Sequence, residues 1–411
     1  MAIIKPFKAI RAAKDKAAFV ASRSYQEYSK KERKGILSLN PFSFLHIITP
    51  GFKLNKKVPI QDRYAFVHES YLEFLKENIL LKDAQDSFYI YQIEKEDFTC
   101  SGIFCGTSVA DYQNNVIKKH EDTLQPREEL FANYLKIAGF NAEAVLMTYP
   151  DNDKVSSIIE TQKEQEPDSF FTTTDKVKHK IWIVSNSQTV KIIQEEFSKI
   201  NSIYIADGHH RSASSNLFAT NSKENNPQHS GKEPYNYFMS YLIPESEIKI
   251  YEFNRLVKDL NGLSKEKFLM KLGDVYKIEN KGNALYKPSG KHHFSMYVGG
   301  EFYALYLKKD NYTFTDALSK LDTQILYKTV LEPILGIKDL KNNDRIQYGY
   351  GKNNVNKMKE EVDNGKFMVG FSLVPITINE IKAIADAGLV MPPKSTYIEP
   401  KLRSGLIIYE L

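Results

Sequence analysis

One short segment concentrates side chains that could do chemistry. It reads Asp207-Gly208-His209-His210-Arg211 and directly follows an apolar run ending at Ala206. The pattern predicts a strand ending there, a tight turn capped by Asp207 or Gly208, and a helix beginning at His210 or Arg211. The first amides of such a helix lack intrahelical acceptors and carry the positive end of its dipole, so the turn suits phosphate.

Each residue type of this turn fits that use. Gly208 allows a close backbone approach and a positive φ, and Arg211 can bind two phosphate oxygens through its guanidinium fork. Asp207 can hold magnesium or accept a proton from a substrate hydroxyl, and His209 and His210 are further candidate catalytic groups. The two histidines point in different directions, so one can face a ligand while the other packs. The simpler alternative is a turn in which the aspartate only caps the helix.

A second candidate group lies where a helix predicted over residues 109–120 ends. Glu121 is a candidate general base toward a substrate hydroxyl, and its alternative is an ordinary surface acid. His120 falls on the same predicted helix face as Tyr112 and Val116, so it is either a ligand contact or a core histidine. The remaining residues that we assign to phosphate or nucleotide binding are Lys118, Thr123 and Ser212.

Three cations near the carboxyl end form a third candidate group. Lys394, Lys401 and Arg403 lie among Pro392, Pro393 and Pro400, whose fixed φ angles favour a rigid extended segment. Such a segment could close over an anionic ligand with Lys394 and Lys401 in contact. The alternative is a packed tail with solvated lysines.

The sequence contains no motif that is typical of other cofactor sites. The two cysteines, Cys100 and Cys105, fit neither a disulfide framework nor a zinc site, and no Walker-type glycine loop occurs. Magnesium, held by Asp207 and shared with the phosphates of ATP or ADP, is the cofactor that we expect.

Composition limits the class of protein. A length of 411 residues predicts more than one domain, and 56 basic against 51 acidic residues give a formal charge of only +5. This balance, without a basic helix-turn-helix region, argues against a nucleic-acid partner. The start of the sequence lacks the apolar core of a secretory signal, and no window is apolar enough to cross a membrane. We therefore expect a cytoplasmic protein with small-molecule partners, for which a homo-oligomer is one open alternative.

Alternating periodicity predicts a mixed α/β fold. We predict an α/β domain over residues 1–245 that carries the turn, and an α+β domain over 246–411 that ends in the Pro/Lys-rich segment. The predicted strands are 44–48, 88–93, 102–107, 144–148, 180–184, 202–206, 237–243, 248–253, 275–278, 293–298, 302–307 and 367–373. The predicted helices are 63–80, 109–120, 126–138, 189–200, 210–219, 317–335, 355–364 and 378–387.

Several blocks in order resemble the bacterial and archaeal domain-of-unknown-function 1015 family. They span residues 4–11, 40–46, 117–123, 205–211, 391–396 and 400–406. One departure lies near the amino terminus, where Ser24-Tyr25-Gln26 replaces an expected Pro-Tyr-Asp-like triplet. If that aspartate serves metal or substrate, this chain lacks one step of the family's chemistry.

The turn at 207–211 is also similar to a box of ParB-like proteins and sulfiredoxins, particularly the ParB-like free serine kinases. That resemblance implies a nucleotide-binding core in the amino-terminal half and a nucleotide-dependent phosphotransferase acting on a small hydroxyl compound, with serine or phosphoserine as the first candidates. The alternatives are a non-catalytic nucleotide-binding switch of the ParB type and a phosphomonoester hydrolase.

Overall fold

The computed structural model describes residues 1–52, 59–351 and 353–411. These residues form two compact units, the first made of Met1–Lys118, Asp122–Ile248 and Pro400–Leu411, and the second of Lys119–Glu121 and Lys249–Glu399. The predicted division at residue 246 assigned the last segment to the C-terminal domain, whereas here it groups with the first unit. The mixed α/β fold class is confirmed.

A nine-stranded mixed sheet organises the first unit. Its strand order is β6-β11-β8-β12-β5-β4-β10-β9, with β1 paired to β5, and a four-stranded sheet has the order β3-β2-β21-β7. The strands are β1 (Ile4–Lys5), β2 (Ile10–Ala12), β3 (Leu80–Lys82), β4 (Phe88–Lys95), β5 (Phe98–Ser108), β6 (Ile117–Lys118), β7 (Phe140–Asn141), β8 (Val145–Tyr149), β9 (Ser169–Thr172), β10 (Lys178–Val184), β11 (Ile203–Asp207), β12 (Tyr237–Pro244) and β21 (Ile407–Glu410).

Helices of the first unit connect and cover these strands. They are α1 (Ala17–Val20), α2 (Lys30–Leu39), α3 (Leu45–Ile48), α4 (Ile60–Lys76), α5 (Val109–Gln113), α6 (Gln125–Ala138), α7 (Asp153–Lys163), α8 (Ser187–Phe197) and α9 (His209–Glu224). One face of the large sheet carries a mainly aliphatic core that includes Ile90, Ile103 and Ile205. Strand alternation places Tyr91 and His179 on the opposite face, which is rich in aromatic rings.

The second unit is built on a six-stranded antiparallel sheet of order β15-β17-β16-β19-β14-β18, beside a two-stranded sheet of β13 and β20. Its strands are β13 (Lys249–Tyr251), β14 (Asn254–Val257), β15 (Tyr276–Gly282), β16 (His293–Val298), β17 (Glu301–Leu307), β18 (Ile346–Gly349), β19 (Val369–Ser372) and β20 (Tyr397–Glu399). Its helices are α10 (Lys265–Val275), α11 (Asp322–Leu326), α12 (Asn354–Asp363) and α13 (Ile378–Asp386).

Three predicted elements are wrong. Residues 44–48 form helix α3 rather than a strand, because a short buried apolar run fits either state. The helix predicted over 109–120 ends at Gln113, where Asn115 takes a left-handed φ of 58° and the chain continues into β6. The helix predicted over 317–335 begins only at Asp322 and passes into a π-helical segment, Tyr327–Leu331.

Candidate functional site

The segment around Asp207 forms the strand, turn and helix that the sequence predicts. Strand β11 ends at Asp207, Gly208 is the cap with a φ of +105°, and α9 begins at His209, one residue earlier than expected. Within the described part of the chain, no side chain caps the start of α9. The helix therefore presents its amino-terminal end without a side-chain acceptor, as the phosphate-site hypothesis requires.

Asp207 lies between two cations. Its Oδ2 accepts a hydrogen bond from Nη2 of Arg211 at 2.6 Å, and its Oδ1 lies 3.3 Å from Nζ of Lys401. Burial acts to raise the pKa of Asp207, but the charges of Arg211 and Lys401 outweigh it and hold that pKa below its ordinary value. The carboxylate is consequently ionised at neutral pH and is a weak base.

Arg211 is fixed by the backbone around it. A second guanidinium nitrogen, Nη1, donates to the carbonyl of Ala144, beside β8. The guanidinium also packs on Gly208, where an added Cβ would lie 2.9 Å from Nε of Arg211. Gly208 is therefore required twice, for its positive φ and for the space that Arg211 occupies. Nε of Arg211 has no hydrogen-bond acceptor among the described residues and is available to a ligand.

The other predicted site residues of the first unit make contacts that are typical of structural residues. His209 is buried, and its charge helps to lower the pKa of Asp207, whereas His210 is half-buried. Ser212 is buried and its hydroxyl donates to the carbonyl of His209 at 3.0 Å. Lys118 ends β6 and pairs with Tyr204 of β11. The hydroxyl of Thr123 donates to Glu128 at the start of α6.

Three predicted residues group with the second unit. His120 is buried, and its carbonyl accepts a hydrogen bond from the amide of Met391 at 3.0 Å. Glu121 is exposed and lies outside any helix, so the predicted helical face through His120 is wrong. Lys394 takes a left-handed φ of 57°, and its ammonium lies 5.5 Å from the ring centre of Phe253. Their proposed functional roles stay predictions.

Sequence reasoning missed the groups that surround the carboxyl-terminal cation Arg403. Nη2 of Arg403 lies 2.9 Å from both carboxylate oxygens of Asp175, and its charge acts on Glu27 and His179. Glu27 directly follows the altered triplet Ser24-Tyr25-Gln26. No local motif joins these four residues, because only the return of the chain at 400–411 brings Arg403 into the first unit.

The chain is weakly similar to several solved structures. A free serine kinase in complex with AMP is 14% identical, with 73% of this chain and 88% of that chain covered and a TM-score of 0.35. A conserved hypothetical protein from Pyrococcus furiosus is 14% identical, covering 73% and 91%, with a TM-score of 0.32. SbnI with a C-terminal truncation from Staphylococcus aureus is 12% identical, covering 72% and 82%, with a TM-score of 0.36.

Sequence comparison is more informative about family. No curated protein matches the chain. Among the described residues, no helix is both long and apolar enough to span a bilayer. The family described as "Protein of unknown function (DUF1015)" matches residues 4–324, which is most of the chain. This match confirms the family resemblance and covers four of the six sequence blocks, while those at 391–396 and 400–406 lie outside it. The chain therefore belongs to the DUF1015 family.

Proposed function

We propose that this protein is a nucleotide-dependent phosphotransferase that acts on a small hydroxyl compound, with serine or phosphoserine as the first substrates to test. The observation that carries the proposal is the start of α9, with Gly208 at a φ of +105° and Arg211 and Lys401 beside it. Amides at a helix start and two nearby cations together favour a phosphate chain. The free serine kinase structures hold AMP or ADP, but the proposal rests on the turn itself.

In the proposed complex, the terminal phosphates of ATP or ADP lie against the first amides of α9. The Nε–H of Arg211 donates to the phosphate oxygens, and Lys401 neutralises further negative charge. Asp207 would hold magnesium, since Mg²⁺ usually takes one or two carboxylates together with phosphate oxygens. The low pKa of Asp207 keeps it ionised for this role and makes it a poor general base, so His209 and His210 are the candidates for proton transfer in this unit.

A titration of the full chain with ADP and ATP, with and without magnesium, tests binding, and release of ADP in the presence of serine tests transfer. We expect binding, and turnover that requires both magnesium and a hydroxyl compound. Binding without turnover of any hydroxyl compound would instead favour a nucleotide-binding switch. Cleavage of phosphoserine without nucleotide would favour a hydrolase, and the absence of nucleotide binding would refute the proposal.

A matched pair of variants tests where the nucleotide binds. Arg211→Lys removes the guanidinium fork at the turn, and Arg345→Lys does the same at the ion pair with Asp259 in the second unit. The two arginines are similarly exposed, at 28% and 25% of their side-chain surface. Only the first variant should weaken nucleotide binding.

A further inference from the structure

Two side chains of the first unit, one on the aromatic face of the large sheet and one in the carboxyl-terminal segment, have nitrogens without a hydrogen-bond partner in the described part of the chain. The first, His179 of β10, is 1% exposed, and its Nε2 is buried without a hydrogen-bond partner there. Its other nitrogen, Nδ1, lies 2.6 Å from the hydroxyl of Tyr91. Burial raises the pKa of Tyr91, so that hydroxyl keeps its proton and is able to donate it to Nδ1. In the tautomer that accepts this bond, the neutral imidazole carries its own proton on Nε2, as a buried donor.

The ring of His179 is held firmly in this orientation. It stacks on Phe171 of β9 with ring centres 4.8 Å apart and lies parallel to Tyr91 at 5.9 Å. Burial and the charge of Arg403 lower the pKa of His179 to about 3. Because the ring is fixed and neutral at physiological pH, Nε2 is a preorganised donor in this tautomer. A ligand acceptor at this position would satisfy a group that is otherwise buried at a cost in stability.

Arg403 supplies the second donor group. Its side chain is only 10% exposed, and it uses a single nitrogen, Nη2, for both oxygens of Asp175. Nε and Nη1 have no acceptor among the described residues. A guanidinium carries five N–H donors in a planar fork, so those on Nε and Nη1 can bind an oxyanion.

We propose that His179 and Arg403 bind the carboxylate of a small acceptor substrate, with one oxygen on Nε2 of His179 and the other on the unused nitrogens of Arg403. This inference rests on the proposed phosphotransferase function and narrows its substrate class to hydroxy acids. Lys401 belongs to the same carboxyl-terminal segment as Arg403 and contacts Asp207, so that segment joins the two anion sites of the first unit. Serine is one member of the class.

The local charges favour a carboxylate over a phosphate. Asp175 already shares the charge of Arg403, and Glu27 also faces Arg403, together with Arg23 and Lys401. Partial burial raises the pKa of Glu27, against the effect of these three cations. A dianion would meet repulsion from both acids, whereas a planar carboxylate brings one charge and two acceptor oxygens.

Nitrogen NMR of the full-length protein with ¹⁵N-labelled histidine tests this assignment. The Nε2 signal of His179, identified by its loss in His179→Gln, should shift on titration with L-serine or glycerate. It should not shift with ethanolamine or glycerol, which lack the carboxylate. No shift with either carboxylate, or a shift with inorganic phosphate alone, would overturn the inference.

Three variants test the role of Arg403. Arg403→Gln should raise at least tenfold the serine concentration that gives half of the shift, and Arg403→Lys should raise it less. Asp175→Asn removes an exposed competing acid and should lower that serine concentration severalfold. Such a gain of affinity cannot result from loss of folding, so it separates a binding effect from misfolding in the other two variants. Arg11→Gln, which breaks a part-buried pair with Asp83, is the control and should leave the shift unchanged. An equal loss in the control, or no strengthening by Asp175→Asn, would contradict the proposal.

The same sample separates this inference from the phosphotransferase proposal. If ADP fails to bind while serine still shifts the His179 signal, the phosphotransferase function fails and the carboxylate site stands. If ADP binds and no carboxylate shifts that signal, the carboxylate site fails and the nucleotide site stands.

Discussion

Two arginine–aspartate pairs of similar exposure, one in each unit, differ in what they leave open. Arg345 directs Nε and Nη2 onto the two oxygens of Asp259, so each carboxylate oxygen has an arginine partner. Arg211 gives a single nitrogen to Asp207, whose other oxygen faces Lys401. The first arrangement is a closed ion pair, and the second is an open group in which two cations share one carboxylate.

The pKa values of the two aspartates show the same difference. At Asp259, the hydrogen bond from Arg345 is the main cause of the lowered pKa. At Asp207, burial is the largest influence and opposes the lowering, and the charges of Arg211 and Lys401 outweigh it. The lowered pKa of Asp259 therefore comes mainly from one ion pair, whereas that of Asp207 depends on two cations held beside a helix start.

The largest expected effect comes from Gly208. Gly208→Ala forces a side chain into a φ of +105° and against Arg211, and should reduce nucleotide affinity about a hundredfold as well as stability by about 1–3 kcal/mol. Gly231→Ala, at a φ of +82° with open space around its Cβ, is the matched control. It should lose stability and leave affinity unchanged, as measured by chemical denaturation and calorimetric titration. Equal affinity losses in both variants would show that the turn at Gly208 has no special role in nucleotide binding.

Arg211→Lys should weaken ADP binding about tenfold, the equivalent of ~1.4 kcal/mol, because the lysine cannot reproduce the guanidinium fork. Arg345→Lys should not change it. Calorimetric titration of both variants measures the contrast directly. If the two variants bind ADP equally well, the distinction between an open and a closed pair has no functional meaning.

Lys401→Met should weaken ADP binding about threefold, since this partly exposed contact contributes charge rather than a fixed fork. Raising the salt concentration should shrink the difference between wild type and variant. Titrations at low and high ionic strength give the result. An affinity gain in the variant would show that Lys401 competes with the ligand instead of binding it.

The smallest effect concerns pH and stability. Both aspartates have a lowered pKa in the folded state, so each contributes stability that is present above the ordinary value of 3.8 and is lost as the pH falls through the folded pKa. Asp259→Asn and Asp207→Asn should each cost stability at pH 7, because each removes a carboxylate that is stabilised by neighbouring cations. Urea denaturation at pH 7 and pH 3 checks this, and both costs should shrink at the lower pH. A cost that stays the same at pH 3 would contradict the expectation.

Sequence alone predicted the turn well because its signals are local. A β-branched run, Asp-Gly and a helical pattern follow one another, and β11, Gly208 and α9 occupy those positions. The same reasoning failed at 109–120, where Asn115 in a left-handed conformation ends the helix. Apolar spacing continues past that point, so periodicity did not reveal the break.

The surroundings of the turn could not be predicted, because they depend on contacts between distant parts of the chain. The proline-rich cations were singled out, but nothing local shows that Lys401 reaches Asp207 or that Arg403 reaches Asp175. His179 alternates with Lys178 and Lys180 in a strand that resembles any edge-exposed segment. Only the order of the strands places it on a buried aromatic face.

Backbone NMR of the full chain during titration with ADP and magnesium tests the central claim most directly. We expect the amides of residues 208–211 and the Nε of Arg211 to show the largest shifts, at concentrations where the signals around Arg345 stay in place. Binding of ADP without any shift at 208–211, or no binding of ADP at all, would contradict it.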